Sequence, residues 1–396
     1  MTTIDQLKSD IDERVPDMVA LRRDLHEHPE LAFEEVRTSG IVAQRLRALG
    51  LEVQTGVAKT GVVGLLKGGA SQPGAKTIAI RADMDALPIF EMNDIDYRSK
   101  VDGKMHACGH DGHTTIALAV ADMLSKRRAE LNGNVKFIFQ PAEETIGGAE
   151  PMVKEGAMDG VDGIIGLHLI SDYAVGRVGV RAGTVFASAD KFVATVRGKG
   201  GHAAMPETAV DPIVTAAYII TALQTLISRE TSPFSPTVIT VGKLQAGTAF
   251  NIIPETAELH GTMRAFSHEH REKMIRRISE VATGVASAMG ATCEINFFDG
   301  CLPCTNDATM TKLVQKVAVE AVGADNVDEG EEVMTTGSDD MAYFLQAVPG
   351  CYFIVGANNA EKGASYPHHH PRFNVDEDAM PIGVEVLTRA ALEFLS

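Results

Sequence analysis

Thr77-Ile78-Ala79-Ile80-Arg81-Ala82-Asp83-Met84-Asp85 is a β-type run that ends in two carboxylates. A second run, Asn134-Val135-Lys136-Phe137-Ile138-Phe139-Gln140, is apolar on both faces and is followed at once by Pro141-Ala142-Glu143-Glu144. Between them the spacing predicts a helix from Thr114 to about Arg128. Strands that alternate with helices and are apolar on both faces indicate an α/β layer fold. In such sheets working residues gather beyond strand ends, and the acids stand there. Val62 to Leu66 reads as a further strand, and Gly163-Ile164-Ile165-Gly166-Leu167 as another that leads into His168.

Upstream, residues 3 to 50 read as helix, turn, helix. Ile4, Leu7, Ile11, Val15, Val19 and Leu25 fall near helical spacing, Pro29 breaks the pattern, and Gly50 ends the second helix. His26 and His28 beside the turn read as structural. Downstream the pattern changes to strand (Ala189 to Arg197), helix (Val210 to Arg229) and two strands (Pro236 to Leu244, Glu255 to Phe266). A helix (His268 to Met289) and a last strand (Ala291 to Phe298) follow. The order β-α-β-β-α-β is ferredoxin-like and suffices for a small separate unit. A helix (Thr309 to Val322), an apolar strand (Gly350 to Gly356) and a terminal helix then resume the first pattern. The expected division is one α/β domain over residues 1–184 and 299–396, interrupted by an α+β domain over 185–298.

Chemistry concentrates in Lys104-Met105-His106-Ala107-Cys108-Gly109-His110-Asp111-Gly112-His113. In extended backbone, residues two apart point the same way, so Cys108 and His110 would offer a sulfur and a nitrogen to one point before a helix starts at Asp111. That pair suits a borderline-soft cation such as zinc; histidines merely packed in a loop are the alternative. Glu143 and Glu144 would diverge in extended structure, so that one binds metal while the other takes a proton from a metal-activated water. A pair of solvated loop acids is the competing reading. His168 and the run Pro367-His368-His369-His370-Pro371 add nitrogen donors.

The totals narrow the partners. A chain of 396 residues with 45% apolar and 22% charged residues suggests a soluble protein of two or three domains. A net charge of −17 argues against nucleic acid and anionic membrane surfaces, and any anionic ligand needs a local basic residue. No apolar run approaches a membrane span, and Met1-Thr2-Thr3-Ile4-Asp5-Gln6 has neither the basic start nor the apolar core of a secretory signal. Five scattered cysteines fit a reducing cytoplasm. Cys301-Leu302-Pro303-Cys304 has redox or zinc spacing, but with no second such pair it reads as chance.

These motifs resemble the M20 metallopeptidase family, and within it the hippurate hydrolases, N-acyl-amino-acid amidohydrolases and auxin-conjugate hydrolases. The matching segments are Arg23 to Leu31 (RDLHEHPEL), Arg81 to Pro88 (RADMDALP), Met105 to Asp111 (MHACGHD) and Gln140 to Glu144 (QPAEE). Gly166 to His168 (GLH), Gly200 to Pro206 (GGHAAMP), Phe250 to Pro254 (FNIIP) and His369 to Phe373 (HHPRF) continue the match in order. The resemblance implies a zinc-exopeptidase-like catalytic domain with a mixed central sheet, and an inserted dimerisation or lid domain. It implies two divalent metal ions held by Cys108, His110, Glu144, His168 and His369, with Glu143 as general base and Asp83 as the acid that orients the site. Zinc is favoured by the thiolate, while manganese, cobalt and nickel also suit such sites. His202, lent to the partner subunit, would steady the oxyanion, and Asn251 and Arg264 would bind substrate, Arg264 through the free α-carboxylate.

The implied reaction is hydrolysis of hippurate-like N-acyl amino acids by a cytoplasmic homodimer. Carboxypeptidase or dipeptidase action on short peptides is the alternative, and a non-catalytic metal-binding scaffold or sensor a remote one. One departure stands out. The family often has Gly-x-Glu-Asp where this chain has Gly337-Ser338-Asp339-Asp340, so the shorter acid is expected to reshape a wall of the substrate pocket.

Overall fold

The computed structural model describes residues 4–145 and 147–396, with only the backbone of Ile4, Asp5 and Asp299. The reading of Met1-Thr2-Thr3 and of the Ile4 side chain therefore lies outside the described residues. The chain divides into two compact units, one of residues 1–185, 304–334 and 339–396, the other of residues 186–303 and 335–338.

The first unit is built on an eight-stranded mixed sheet. Its centre is four parallel strands in the order Asn134–Gln140, Thr77–Asp83, Gly163–Ala174 and Gly350–Asn358. The Gly61–Leu66 strand joins antiparallel at one side, with Glu52–Val57 outside it. Short strands Val178–Gly179 and Val327–Asp328 close the other side. Every residue of Thr77–Asp83 is buried, as a strand covered on both faces requires. Phe137 and Phe139 are fully buried on the neighbouring strand, each a contribution of roughly 1.5–3 kcal/mol relative to exposure.

Register is what positions the site. Asp83 pairs with Gln140, and Arg81 pairs with Gly166, so two residues further on His168 stands level with Asp83. Three polar residues thus reach one edge of the sheet together. His168 does not follow its strand, as the sequence suggests, but lies inside it, because the strand runs on to Ala174.

The first expected helix is two helices, Ile4–Asp12 and Val15–Glu27. Pro16 explains the break. It has no N–H to continue a helix but fits the first turn of a new one, where it stands. The helix His110–Lys126 begins four residues before Thr114 and is buried along most of its length.

In the second unit Thr237–Ala246, Thr256–Ala265, Ala189–Arg197 and Thr292–Cys301 form an antiparallel sheet in that order. Helices Pro212–Thr225 and His268–Ala288 cover one face, where Phe192, Leu259, Ile219 and Ile278 make its core. This is the β-α-β-β-α-β arrangement expected from the sequence. Among the described residues no helix is long and apolar enough to cross a membrane. Cys108, Cys293 and Cys351 are free thiols.

Candidate metal centre

The two motifs thought to be extended are turns. Gly109 has φ 97°, a left-handed conformation that glycine adopts without a Cβ penalty, and it caps the helix that starts at His110. Ala142 has φ 54°, a conformation that non-glycine residues seldom adopt. What holds it is Asp85, whose two carboxylate oxygens accept the backbone N–H groups of Glu143 and Glu144, both at 3.0 Å. Glu35 Oε1 accepts the N–H of Ala142 itself at 2.9 Å. The same Asp85 takes a bond from His110 Nδ1 on its backbone carbonyl, at 2.9 Å. One residue at the end of a strand thereby fixes both motifs.

Hydrogen-bond partners decide which nitrogen each imidazole offers, since a carbonyl or carboxylate can only accept. His110 Nδ1 donates to Asp85 O, which leaves Nε2 for the site. His168 Nδ1 donates to Leu169 O at 2.8 Å, so its Nε2 lone pair faces Cys108 Sγ at 3.6 Å. His113 has both nitrogens engaged: Nδ1 donates to Asp83 at 2.7 Å and Nε2 accepts from Leu169 N at 2.9 Å. It lies near Asp83 and His110, but it has no donor atom left for an ion. His369 Nε2 lies 3.3 Å from Glu144 Oε2.

Donor atoms of Cys108, His110 and Glu144 lie within 4.8 Å of one another, and so do those of Cys108, His168 and His368. Cys108 is common to both groups. His110 Nε2 and Glu144 Oε1 are buried without a hydrogen-bond partner and stand 3.9 Å apart. Buried polar atoms are rarely left so, and a cation between them satisfies both. Thiol, imidazole and carboxylate are the donors that divalent transition metals take. The residues fit a centre for two divalent metal ions.

The electrostatics agree. Burial disfavours a charge on His110, yet Asp83 and Asp85 raise its pKa to about 10. In the metal-free protein a proton occupies the place that a cation would take. Burial, with Glu144 and Glu143, pushes the Cys108 thiol well above its ordinary value, so the thiolate needs a cation beside it. Burial, Asp339 and Glu144 likewise push Glu143 well up, with Arg81 working against them. Burial favours the neutral form of Glu144 too, but the His369 bond and the charge of His110 hold it below the usual range.

The sequence resembles known proteins along its whole length. Residues 79–393 match Peptidase family M20/M25/M40. The chain belongs to that family. It is 40% identical to thermostable carboxypeptidase 2 of Saccharolobus solfataricus over 100% of this chain and 99% of that one. It is 39% identical to N-acetylcysteine deacetylase of Bacillus subtilis over 95% of this chain and 96% of the relative. A Bacillus subtilis protein described as a dinuclear metal binding peptidase from M20 family has a crystal structure that superposes with TM-score 0.84. The two are 36% identical over 97% of this chain and 99% of that one. This M20 chain is accordingly a metal-dependent hydrolase of amide bonds.

Behind this cluster of donor residues stands a buried ionic frame. Asp111, next to His110, accepts from His26 Nδ1 at 2.8 Å and forms an ion pair with Arg22, whose Nε lies 2.9 Å away. His26 Nε2 meets Glu91 at 3.2 Å, so the imidazole lies between two carboxylates and donates to both. The structural reading of His26 suits this role. On the other side Arg81 binds Asp83 at 2.7 Å, Asp339 at 3.1 Å and Gln140 at 2.8 Å. Asp339 also accepts from Tyr352 Oη at 2.6 Å. The acid expected to shape a pocket wall is engaged by Arg81 and Tyr352 in the interior.

Asp85, Arg81 and His368 stand in motifs that the sequence singles out, but it gives none of them an individual role. Asp85 had a signal, since it ends the same run as Asp83, but only one acid was assigned a role there. In the second unit His202 and Asn251 come together on a short ribbon in which Gly201–His202 pairs with Ile252–Ile253. Ala203 N donates to Asn251 O at 3.2 Å. Arg264 stands on a different strand, opposite Val238, and its Nη1 donates to Thr262 Oγ1 at 2.6 Å.

Proposed function

We propose that this chain hydrolyses the amide bond of N-acyl amino acids to a carboxylic acid and a free amino acid. Glu143 carries the reading: a buried carboxyl, clamped through its backbone by Asp85, beside a cluster of metal-donor residues. Cys108, His110, Glu144, His168 and His369 would hold the two ions, with zinc as the first choice. When bound, such ions supply Lewis acidity towards water and the amide carbonyl. Glu143 accepts the proton of the attacking water and passes it to the leaving nitrogen. In the metal-free protein, burial and the neighbouring Asp339 and Glu144 favour the protonated form of Glu143.

His202 Nδ1 accepts the N–H of Ala204 at 3.1 Å, which leaves Nε2–H as a donor. That tautomer supports a role in steadying the oxyanion, in the site of a second copy within a homodimer. Arg264 would take the substrate α-carboxylate, with Asn251 as a further polar contact. The likeness to N-acetylcysteine deacetylase supports N-acyl substrates, with hippurate-like aromatic acyl groups as the first to try. The likeness to a carboxypeptidase supports a second reading, cleavage of short peptides, in which Arg264 keeps the same task. The free thiols of Cys108, Cys293 and Cys351 are in keeping with action in the cytoplasm.

The deciding assay measures free amino acid released from N-acyl amino acids and dipeptides. It compares metal-stripped protein with protein given back Zn²⁺, Mn²⁺, Co²⁺ or Ni²⁺, with Glu143→Ala alongside. Turnover restored by metal and absent in the variant is expected. No turnover on any substrate with two ions bound would refute the proposal in favour of a scaffold or sensor.

A further inference from the structure

We infer that His368 is a hydrogen-bond donor to the Cys108 sulfur and tunes the metal centre through it, without itself being a ligand. The inference rests on the reading of Cys108 as a ligand. Three consecutive histidines meet three different fates. His369 has φ 64°, and its N–H donates to Ala107 O at 2.8 Å, which pins the loop beside Cys108. Its ring turns to Glu144. His370 stacks on Tyr366 at 4.6 Å and accepts the N–H of Arg372 at 3.0 Å. His368 packs against Phe373 at 4.9 Å and meets the ring of His168 nearly at right angles, at 5.2 Å.

The tautomer separates donor from ligand. The N–H of Ser171 donates to His368 Nε2 at 3.2 Å. A neutral imidazole that accepts at Nε2 carries its proton at Nδ1. His368 Nδ1 stands 3.6 Å from Cys108 Sγ, within reach of an N–H···S bond. His168 lies at the same 3.6 Å from the sulfur with the opposite tautomer, because Leu169 O takes its Nδ1–H. Of two equidistant imidazoles, one turns a lone pair to the centre and the other an N–H. An N–H on a metal-bound thiolate draws electron density from the sulfur and fixes its orientation, as outer partners of metal ligands do.

The test uses the full chain loaded with Co²⁺, whose thiolate charge-transfer band in the near ultraviolet reports the sulfur directly. Ion count per chain and affinity by chelator competition accompany it. His368→Asn keeps an amide N–H near the Nδ1 position, whereas His368→Leu removes it. Both variants should bind two ions. His368→Asn should keep the band of the parent protein, and His368→Leu should shift it to lower energy and weaken binding about 10–100-fold. Loss of one ion in both variants would make His368 a ligand and overturn the inference. So would a band unmoved by His368→Leu, or one shifted equally in both. Cys108→Ser separates the two levels. A band that survives it refutes the proposed ligand set, whereas a band that vanishes there yet stays put in His368→Leu refutes this inference alone.

Discussion

Asp85→Ala is the sharpest test of how this site is assembled. The carboxylate is buried and accepts two backbone N–H groups at 3.0 Å, one from each glutamate of the pair. Hydrogen bonds to a charged group contribute about 1.5–3 kcal/mol each, so losing both predicts a destabilisation of about 3–6 kcal/mol. The upper half of that range applies if no water enters to satisfy the orphaned N–H groups. Function should suffer beyond stability. Ala142, with its φ of 54°, has lost the anchor just downstream, and the turn can relax towards ordinary backbone. A displacement of about 1 Å at Glu143 is enough to lower kcat about 100-fold.

The assay pairs urea unfolding of the metal-stripped protein with kcat at saturating metal, well below the unfolding midpoint. Asp85→Asn separates the parts, because its carbonyl oxygen keeps one acceptor while its amide faces the second N–H. It should fall between Ala and the parent on both axes. A fully loaded Asp85→Ala protein with kcat within about twofold of the parent and a loss below about 1 kcal/mol would refute the reasoning.

Two further outcomes follow from the charges. Burial disfavours an ionised His26, but its bonds to Asp111 and Glu91 outweigh this and raise its pKa above the ordinary value. A raised histidine contributes stability that is fully present below about pH 6.5 and is lost as pH rises through the folded value. His26→Gln in metal-stripped protein should therefore cost more at pH 5.5 than at pH 9; urea midpoints showing a cost that grows with pH would contradict the ionic frame. Arg264→Lys should raise KM about 10–100-fold with little change in kcat for substrates that carry a free carboxylate, since a charge-assisted bidentate contact is worth about 1.5–3 kcal/mol. Substrate amides should lose nothing; an equal loss on amides would remove Arg264 from carboxylate binding.

The fold was legible because it rests on patterns that sequence displays. Apolar runs such as Ile78 to Ala82 and Phe137 to Phe139 declare strands buried on both faces, and the six-element order of the inserted unit is linear in the chain. Backbone conformation at the site was less legible. The spacing of Cys108 and His110 suggests an extended pair, and the structure brings the two together through a left-handed Gly109 at a helix start. Glycine there was a signal of positive φ that the spacing argument passed over. Ala142 gave none, since nothing in an alanine announces a φ of 54°. That turn is imposed from outside, by Asp85 more than fifty residues earlier and by Glu35 more than a hundred.

The same distance in sequence hid the division of labour among the histidines. Residue type offers every imidazole as a ligand. Tautomer withdraws some of them, and tautomer is set by partners such as Leu169 and Ser171 whose side chains have no part in it. Their backbone groups belong to one strand, Gly163–Ala174, which also carries His168. Leu169 O takes the Nδ1 proton of His168, Leu169 N satisfies His113, and Ser171 N turns His368. A single extended strand thus helps sort three imidazoles through its main-chain groups, with the Asp83 carboxylate holding the other nitrogen of His113. Side-chain substitutions at Leu169 or Ser171 should leave that sorting intact, whereas a proline removes the N–H that meets His113 at position 169 or His368 at position 171.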